Sequence, residues 1–402
     1  MKLVKLFLYN LMVFILLVLI SDLALTKLNL IPLNFPKKNN NPNPVCGFNN
    51  QVLTIEDEKI DSINKLQVAF IGDSHHTYME SYKKQHQSHY LNTFLDSNSL
   101  YSTIISLGTP RYSPVQEMLA HEYLIDAHYE VDAIVFLCYA GNDFAELIRN
   151  DDRPSINFSN GTPVLRPPNW LMLRPDSLNT RWPKDSRVLY GLNGFSKNNL
   201  LLKTIAAANA LDALNPSLKQ RLKYLLDLPK MSDTRFGYRG AAASQFLNQY
   251  YIYLNFKETF IQQVSNRMTY FFSEASKRFP HARLYLFLLP TAPSMGAMSA
   301  KNEKVFLEIL KNMEINEPDF YDFENEMFEL LQDAAAKAKD SRFNLYHLGP
   351  VLKNEITLAE TPAEYYDEPT LHIDAKARKV VGEYIASIIL KDFPVSNENK
   401  RD

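Results

Sequence analysis

The residues best placed to do chemistry begin at Gly72-Asp73-Ser74, where the apolar run Val68-Ala69-Phe70-Ile71 stops. Such a run suits a strand buried on both faces of a parallel sheet, and it delivers a serine hydroxyl to the carboxyl end of that strand. In open α/β sheets this end forms the crevice in which ligands bind, so the hydroxyl would meet substrate while its backbone is held rigidly. Taken alone the tripeptide reads first as turn chemistry, because Gly, Asp and Ser are all common turn residues. Three further segments bear on the choice. Ser106-Leu107-Gly108 runs into Thr109-Pro110-Arg111-Tyr112-Ser113-Pro114, a sharp turn that exposes the Gly108 N–H; Ala140-Gly141-Asn142-Asp143 places an amide at another strand exit. Tyr366-Asp367-Glu368-Pro369-Thr370-Leu371-His372 brings carboxylates and an imidazole just ahead of the last helical stretch. Together they supply what ester cleavage needs: a hydroxyl to activate, a base, an orienting carboxylate and convergent N–H donors.

The elements that must position these groups follow from hydrophobic pattern. Strands are expected at Leu66–Ile71, Tyr101–Leu107, Ala133–Tyr139, Arg283–Leu289 and Arg342–His347. Helical patterns separate most of them, at Pro114–His128, Glu258–Arg278, Glu303–Met313 and Glu324–Lys339, with a last helix at Ala375–Leu390. The alternation predicts an α/β fold: a doubly wound, mainly five-stranded parallel sheet with helices on both faces, a flavodoxin-like three-layer sandwich. An insertion at about 145–250 interrupts it. There a Pro- and Asn-rich stretch holds two short strands around Asn160-Gly161, a dipeptide suited to a type I′ hairpin turn, followed by helical segments near Asn198–Leu211 and Pro216–Leu228. Leaving the core at the carboxyl edge, the insertion is placed to act as a lid or substrate wall.

The chain as a whole narrows the options. With 402 residues, 46% of them hydrophobic, it can bury a large core. A net charge of −2 with no basic face argues against nucleic-acid partners. Two cysteines, Cys46 and Cys138, exclude a disulfide framework, and Cys138 reads as a small buried hydrophobe. Lys2 and Lys5 precede Leu6–Leu25, an apolar run matching the roughly 20 residues that span a hydrocarbon core, with no obvious small-x-small cleavage site after it. Residues 1–27 are therefore expected to be a signal anchor that leaves the rest extracytoplasmic. Residues 28–62, rich in Asn and Pro, are expected to be a polar tether, and 63–395 the catalytic domain.

On these residues the chain resembles the SGNH/GDSL hydrolase superfamily, whose four blocks carry Ser, Gly, Asn and His in that order, and specifically an extracytoplasmic, membrane-anchored bacterial member. The blocks match at Gly72-Asp73-Ser74, at Leu107-Gly108 through Tyr112-Ser113, at Gly141-Asn142-Asp143 and at His372. The resemblance implies Ser74 as nucleophile, His372 as its base, and an oxyanion hole built from the Ser74 and Gly108 N–H groups with the Asn142 amide. It departs at the triad acid: family members place an aspartate two or three residues before the histidine, where this chain has Thr370 and Pro369. Asp367 is the favoured replacement, with Glu368 or a backbone carbonyl as the alternatives. The implied activity is that of a membrane-tethered serine esterase acting on O-acyl or O-acetyl carbohydrate, or an O-acyltransferase using the same Ser-His site. A non-catalytic envelope scaffold is the remaining reading. No cofactor is implied.

Several residues have blander explanations. His86-x-x-His89 has metal-ligand spacing, but no second Cys or His pair completes a site, so both are expected to be solvated, with His75 at the rim of the site. His347 is expected to pack or to lie at the surface. The sequons at Asn157 and Asn160 matter only in a eukaryotic secretory protein. Tyr250-Tyr251-Ile252-Tyr253 and Tyr270-Phe271-Phe272 are expected in the core rather than on a sugar.

Overall fold

The computed structural model describes residues 51–55, 65–76, 85–108, 112–120, 131–148, 155–159, 162–166, 211–231, 241–316, 318–339, 341–367 and 371–394. The expected anchor, most of the expected tether, the helix near Asn198–Leu211, and Glu368 to Thr370 lie outside these residues.

Five strands form the expected parallel sheet: β2 (Leu66–Gly72), β3 (Ser102–Gly108), β4 (Ala133–Tyr139), β7 (Arg283–Leu289) and β8 (Phe343–His347). A sixth strand, β1 (Gln51–Ile55), was not anticipated. It lies within the stretch read as a tether and runs antiparallel along β3, from Gln51 opposite Gly108 to Ile55 opposite Ile104, giving the order β1-β3-β2-β4-β7-β8. From β2 the chain steps to β3 on one side and then to β4 on the other. The topological switch point therefore falls at the carboxyl end of β2, where ligand crevices form in open α/β sheets.

The three central strands are buried along nearly their whole length, which requires cover on both faces. The parallel register pairs Phe70 with Val135 and Ile71 with Phe136, so Phe70 and Phe136 point to opposite faces. Phe70 packs on His76, with ring centroids 4.0 Å apart, and Phe136 meets Phe271 edge-on at 5.0 Å. The Phe271 face is covered by the long helix Ala241–Arg278, which departs from helical geometry at Phe256, and by helix Phe320–Lys337 packed against it. Tyr250, Tyr251, Tyr253, Phe271 and Phe272 are buried in this layer, as expected of core aromatics.

The opposite layer pairs helix Gln87–Ser97 with the last helix, Ala375–Asp392. Their crossing depends on Gly382: a Cβ there would lie 2.4 Å from the Gln87 carbonyl oxygen and 2.9 Å from the Tyr90 Cβ. Helix propensity would favour Gly382→Ala by about 1 kcal/mol. Because backbone cannot yield at that distance, overpacking of about 1–3 kcal/mol should win, and urea denaturation of Gly382→Ala should show a net loss of stability.

Two compact units divide the chain. One comprises Asn49–Ile148 and Pro216–Asp402 and carries the sheet with every candidate site residue that is described; the other comprises Met1–Phe48 and Arg149–Asn215. Within the second unit β5 (Ser155–Ser159) and β6 (Thr162–Arg166) form the expected hairpin, with Ser159 opposite Thr162. Helix Leu218–Met231, which lies wholly inside the expected insertion, and helix Ala241–Arg278, which begins inside it, belong to the sheet-bearing unit. Tyr251 Oη donates to Asp227 at 3.0 Å between them, and the Gln249 side-chain oxygen accepts from the Ala145 N–H at 2.8 Å. Among the described residues no helix is long and apolar enough to cross a membrane.

Candidate active site

Ser74 opens a single turn of 3-10 helix, Ser74–His76, directly after β2. Asp73 makes that turn. Its carboxylate accepts from the His75 N–H at 2.8 Å and from the Ser74 hydroxyl at 3.2 Å, while its carbonyl accepts from the His76 N–H at 3.1 Å. The turn is therefore fixed by the residue preceding the serine, as Asx-type hydrogen bonding predicts. Gly108 ends β3 directly opposite Gly72 in the ladder, and Asn142 follows β4, so the Ser, Gly and Asn blocks all stand at the carboxyl edge.

His372 arrives from the far end of the sequence. Its Nε2 lies 2.8 Å from Ser74 Oγ, the geometry a serine and its base require, across 298 positions of sequence. It sits in a two-residue strand, β10 (His372–Ile373), paired antiparallel with β9 (Tyr366–Asp367) so that His372 faces Asp367 directly. The reversal between them holds Leu371 in left-handed backbone, φ 56°, and its N–H donates to the Asp367 carbonyl at 2.7 Å. Asp367, the favoured orienting carboxylate, thus stands opposite His372 in the pairing, and its charge pulls the imidazole pKa upward. Glu368 lies outside the described residues.

Burial, then the nearby Arg378 charge, push the His372 pKa down to about 4, against the upward pull of Asp367. A base must be neutral to accept the serine proton, and an imidazole with a depressed pKa stays neutral far into acid. Reactivity at Ser74 should therefore hold its plateau below pH 6 and fall only as pH drops through about 4. A pH profile of the labelling rate checks this, and a midpoint near 6.5 would contradict it.

Asn142 is 4% exposed, and its Nδ2 has no hydrogen-bond partner. A buried amide donor left unpaired is costly, and one at the same carboxyl edge as Ser74 is suited to receive negative charge that develops only during a reaction. Gly141 next to it is required by close approach: a Cβ would lie 2.2 Å from the Tyr139 ring.

Asp73 belongs to a group of buried acids that sequence reasoning missed. Asp73, Glu117, Asp143 and Glu146 are all at most 1% exposed. Burial pushes the Asp73 pKa up to about 7, opposed by hydrogen bonds from the His75 and Ser74 N–H groups and the Ser74 hydroxyl. Burial and mutual repulsion raise Glu117 and Asp143 well above the usual carboxylate range. Neither carboxyl oxygen of Glu117 has a hydrogen-bond partner, whereas Asp143 accepts from the Tyr139 N–H at 2.7 Å. Glu117, Asp143 and Glu146 occupy first turns of helices, where acids are ordinary for dipole reasons, so nothing in their spacing betrays a shared interior.

The histidines near Ser74 also differ from expectation. His86 is buried, not solvated: it caps helix Gln87–Ser97, its Nδ1 accepting from the Ser88 N–H, and its Nε2 bonds the His76 carbonyl at 3.1 Å. His75 is likewise buried at 1% exposure rather than at a rim. The cause is the tight turn after β2, which folds the two residues after Ser74 back under helix Gln87–Ser97. There Gln87 Nε2 donates to the His75 carbonyl and to His76 Nδ1, both at 2.9 Å, and His76 Nε2 reaches Ser106 Oγ at 2.8 Å. His89 is half-buried, and His347 stacks on Phe328 with ring centroids 5.1 Å apart.

No protein-family model matches this chain, and no curated protein does. Among solved structures it is similar to a protein from Streptococcus pneumoniae provisionally described as a platelet activating factor, at 12% identity. That alignment covers 83% of this chain and 86% of the other, with a TM-score of 0.30, a likeness too low to bear on function.

Proposed function

We propose that this chain is a serine esterase of the SGNH type, membrane-tethered and extracytoplasmic, acting through an acyl-Ser74 intermediate. The observation that carries the reading is the 2.8 Å contact between Ser74 Oγ and His372 Nε2 at the switch point of the sheet. A serine hydroxyl is a poor nucleophile until a base takes its proton, and this imidazole is both in reach and neutral.

In the proposed reaction Ser74 Oγ attacks an ester carbonyl carbon while its proton passes to His372 Nε2. The carbonyl oxygen becomes an oxyanion, met by the Asn142 Nδ2, by the Gly108 N–H and by the Ser74 N–H, which the oxyanion would share with the Asp73 carboxylate. Collapse breaks the bond to the alcohol, which leaves with the proton from His372. Water, or an acceptor hydroxyl in a transferase, then attacks acyl-Ser74 and returns its own proton through His372 to Ser74 Oγ. Asp367 holds the imidazole and stabilises its protonated form. The substrate class proposed, O-acyl carbohydrate, rests on the family resemblance.

The test is reaction of the purified full-length chain with a fluorophosphonate, which traps serines activated in this way. We expect covalent labelling of the wild type at Ser74 and none of Ser74→Ala. An unlabelled wild type would sink the enzyme reading in favour of a scaffold. Given labelling, release of acetate to water set against its transfer to an oligosaccharide separates esterase from transferase.

A further inference from the structure

The residue after Ser74 has no part in the reaction proposed for that serine, yet it is buried and hydrogen-bonded through its N–H, its carbonyl and its ring. We propose that His75 is a positioning residue: a neutral imidazole that sets the register and ring orientation of His372 against Ser74. The proposal rests on the esterase reading and adds a residue to it.

Five contacts define the role. The His75 N–H is taken by the Asp73 carboxylate at 2.8 Å, and its carbonyl by Gln87 Nε2 at 2.9 Å, so its backbone cannot drift. Its Nδ1 accepts from the Ile373 N–H at 3.3 Å. Its ring lies between two others, Tyr139 at 3.8 Å and His372 at 4.5 Å between centroids. Residues 74–75 and 372–373 are thus joined at two successive positions: Ser74 to His372 through the reacting atoms, His75 to Ile373 through the backbone. Ile373 is held from the other side as well, its carbonyl accepting from Arg378 Nε at 3.0 Å.

The need for such a brace follows from the local structure. His372 stands in a strand of only two residues, entered through a left-handed leucine, and a pairing that short does not hold a side chain rigidly by itself. A base displaced by about 1 Å can cost 100-fold in rate. Because Nδ1 is the acceptor, the ring carries its proton on Nε2 and is uncharged. Burial, His372 and Arg378 all hold it so. An uncharged ring also suits a neighbour that becomes imidazolium during each turnover, since a ring face tolerates a cation where a second imidazolium would repel it. The groups facing this pair are Asp73 and Tyr139 around His75, and Asp367, Arg378 and Ser74 around His372.

Two substitutions separate the brace from the ring. His75→Phe keeps an aromatic face and loses the acceptor for Ile373; His75→Asn keeps an acceptor near the Nδ1 position and loses the ring. With the full-length chain, the pH-independent plateau of fluorophosphonate labelling should fall about 10- to 100-fold in His75→Phe. His75→Asn should keep more of the plateau, with its acid midpoint raised as water reaches His372. A second readout needs no catalysis: the NMR titration of His372 in Ser74→Ala should move upward when His75→Asn is added. Labelling of both variants at the wild-type rate and with the wild-type midpoint would overturn the proposal, as would an unmoved His372 titration. A wild type that does not label, while the His372 titration does move, overturns the esterase reading and leaves the placement of His372 by His75 supported. Thermal melting identifies any variant that fails to fold, and the other variant then decides.

Discussion

His372→Ala is expected to slow acylation of Ser74 by about 10⁴- to 10⁶-fold while leaving the fold intact. The imidazole belongs to a two-residue strand outside the six-stranded sheet and meets the His75 ring, so its removal leaves the sheet and its covering helices in place. Its loss takes away the group 2.8 Å from the nucleophile that must receive the proton. One other acceptor is in reach: the Asp73 carboxylate, 3.2 Å from the same hydroxyl, with a pKa raised to about 7 by burial. A carboxyl accepts a proton only when ionised, so the residual rate of His372→Ala should rise with pH through about 7, where the wild type is already flat. Single-turnover kinetics with an activated aryl ester between pH 4 and 9 measure both effects. Adding Asp73→Asn should remove the residual rate, and a His372→Ala enzyme as fast as wild type would end the case for this site.

Asn142→Ala is expected to lower kcat by about 10²- to 10³-fold, roughly 3–4 kcal/mol of barrier, with little change in KM. The unpaired Nδ2 gains its partner only when charge appears on the substrate oxygen, so the interaction belongs to the transition state and not to the bound ester. The same observation fixes the sign of the stability effect. Deleting a buried donor that has no partner removes a desolvation cost without breaking a hydrogen bond, so the melting temperature should stay level or rise. A variant that loses both activity and stability would mean that Asn142 is a structural residue.

Much of this site was legible because its parts sit where sequence pattern is simplest, at the ends of short apolar runs. Gly72 and Gly108 end, and Asn142 follows, strands whose limits can be read within a residue or two, and β2, β3 and β4 present their carboxyl ends at one edge whatever the loops do. Asp367 was harder. Its distance from His372 is irregular for the family, and only the β9–β10 pairing, a feature of four residues, brings the two opposite one another. β1 was illegible for a different reason: it is held by the edge of β3, so the information that makes it a strand resides in the partner. His75 and His86 misled because histidine near a serine suggests solvent or metal, whereas both are bound into the interior by backbone atoms, His75 by the Ile373 N–H of β10 and His86 by the His76 carbonyl of the turn. Asp73, Glu117 and the Asp143–Glu146 pair are separated by tens of residues, and no local pattern marks side chains that meet only after the sheet has formed.

The strand at Gln51–Ile55 bears on how this protein can be handled. It occupies the open edge of β3, a seven-residue strand buried throughout that would otherwise present a row of unsatisfied N–H and C=O groups to other chains. A fragment begun at the apparent domain start near residue 63 would keep every candidate catalytic residue and lose that cover. Self-association through the bared edge, and not loss of chemistry, is the failure to expect from such a truncation. Fragments meant for biochemistry should therefore begin ahead of Gln51.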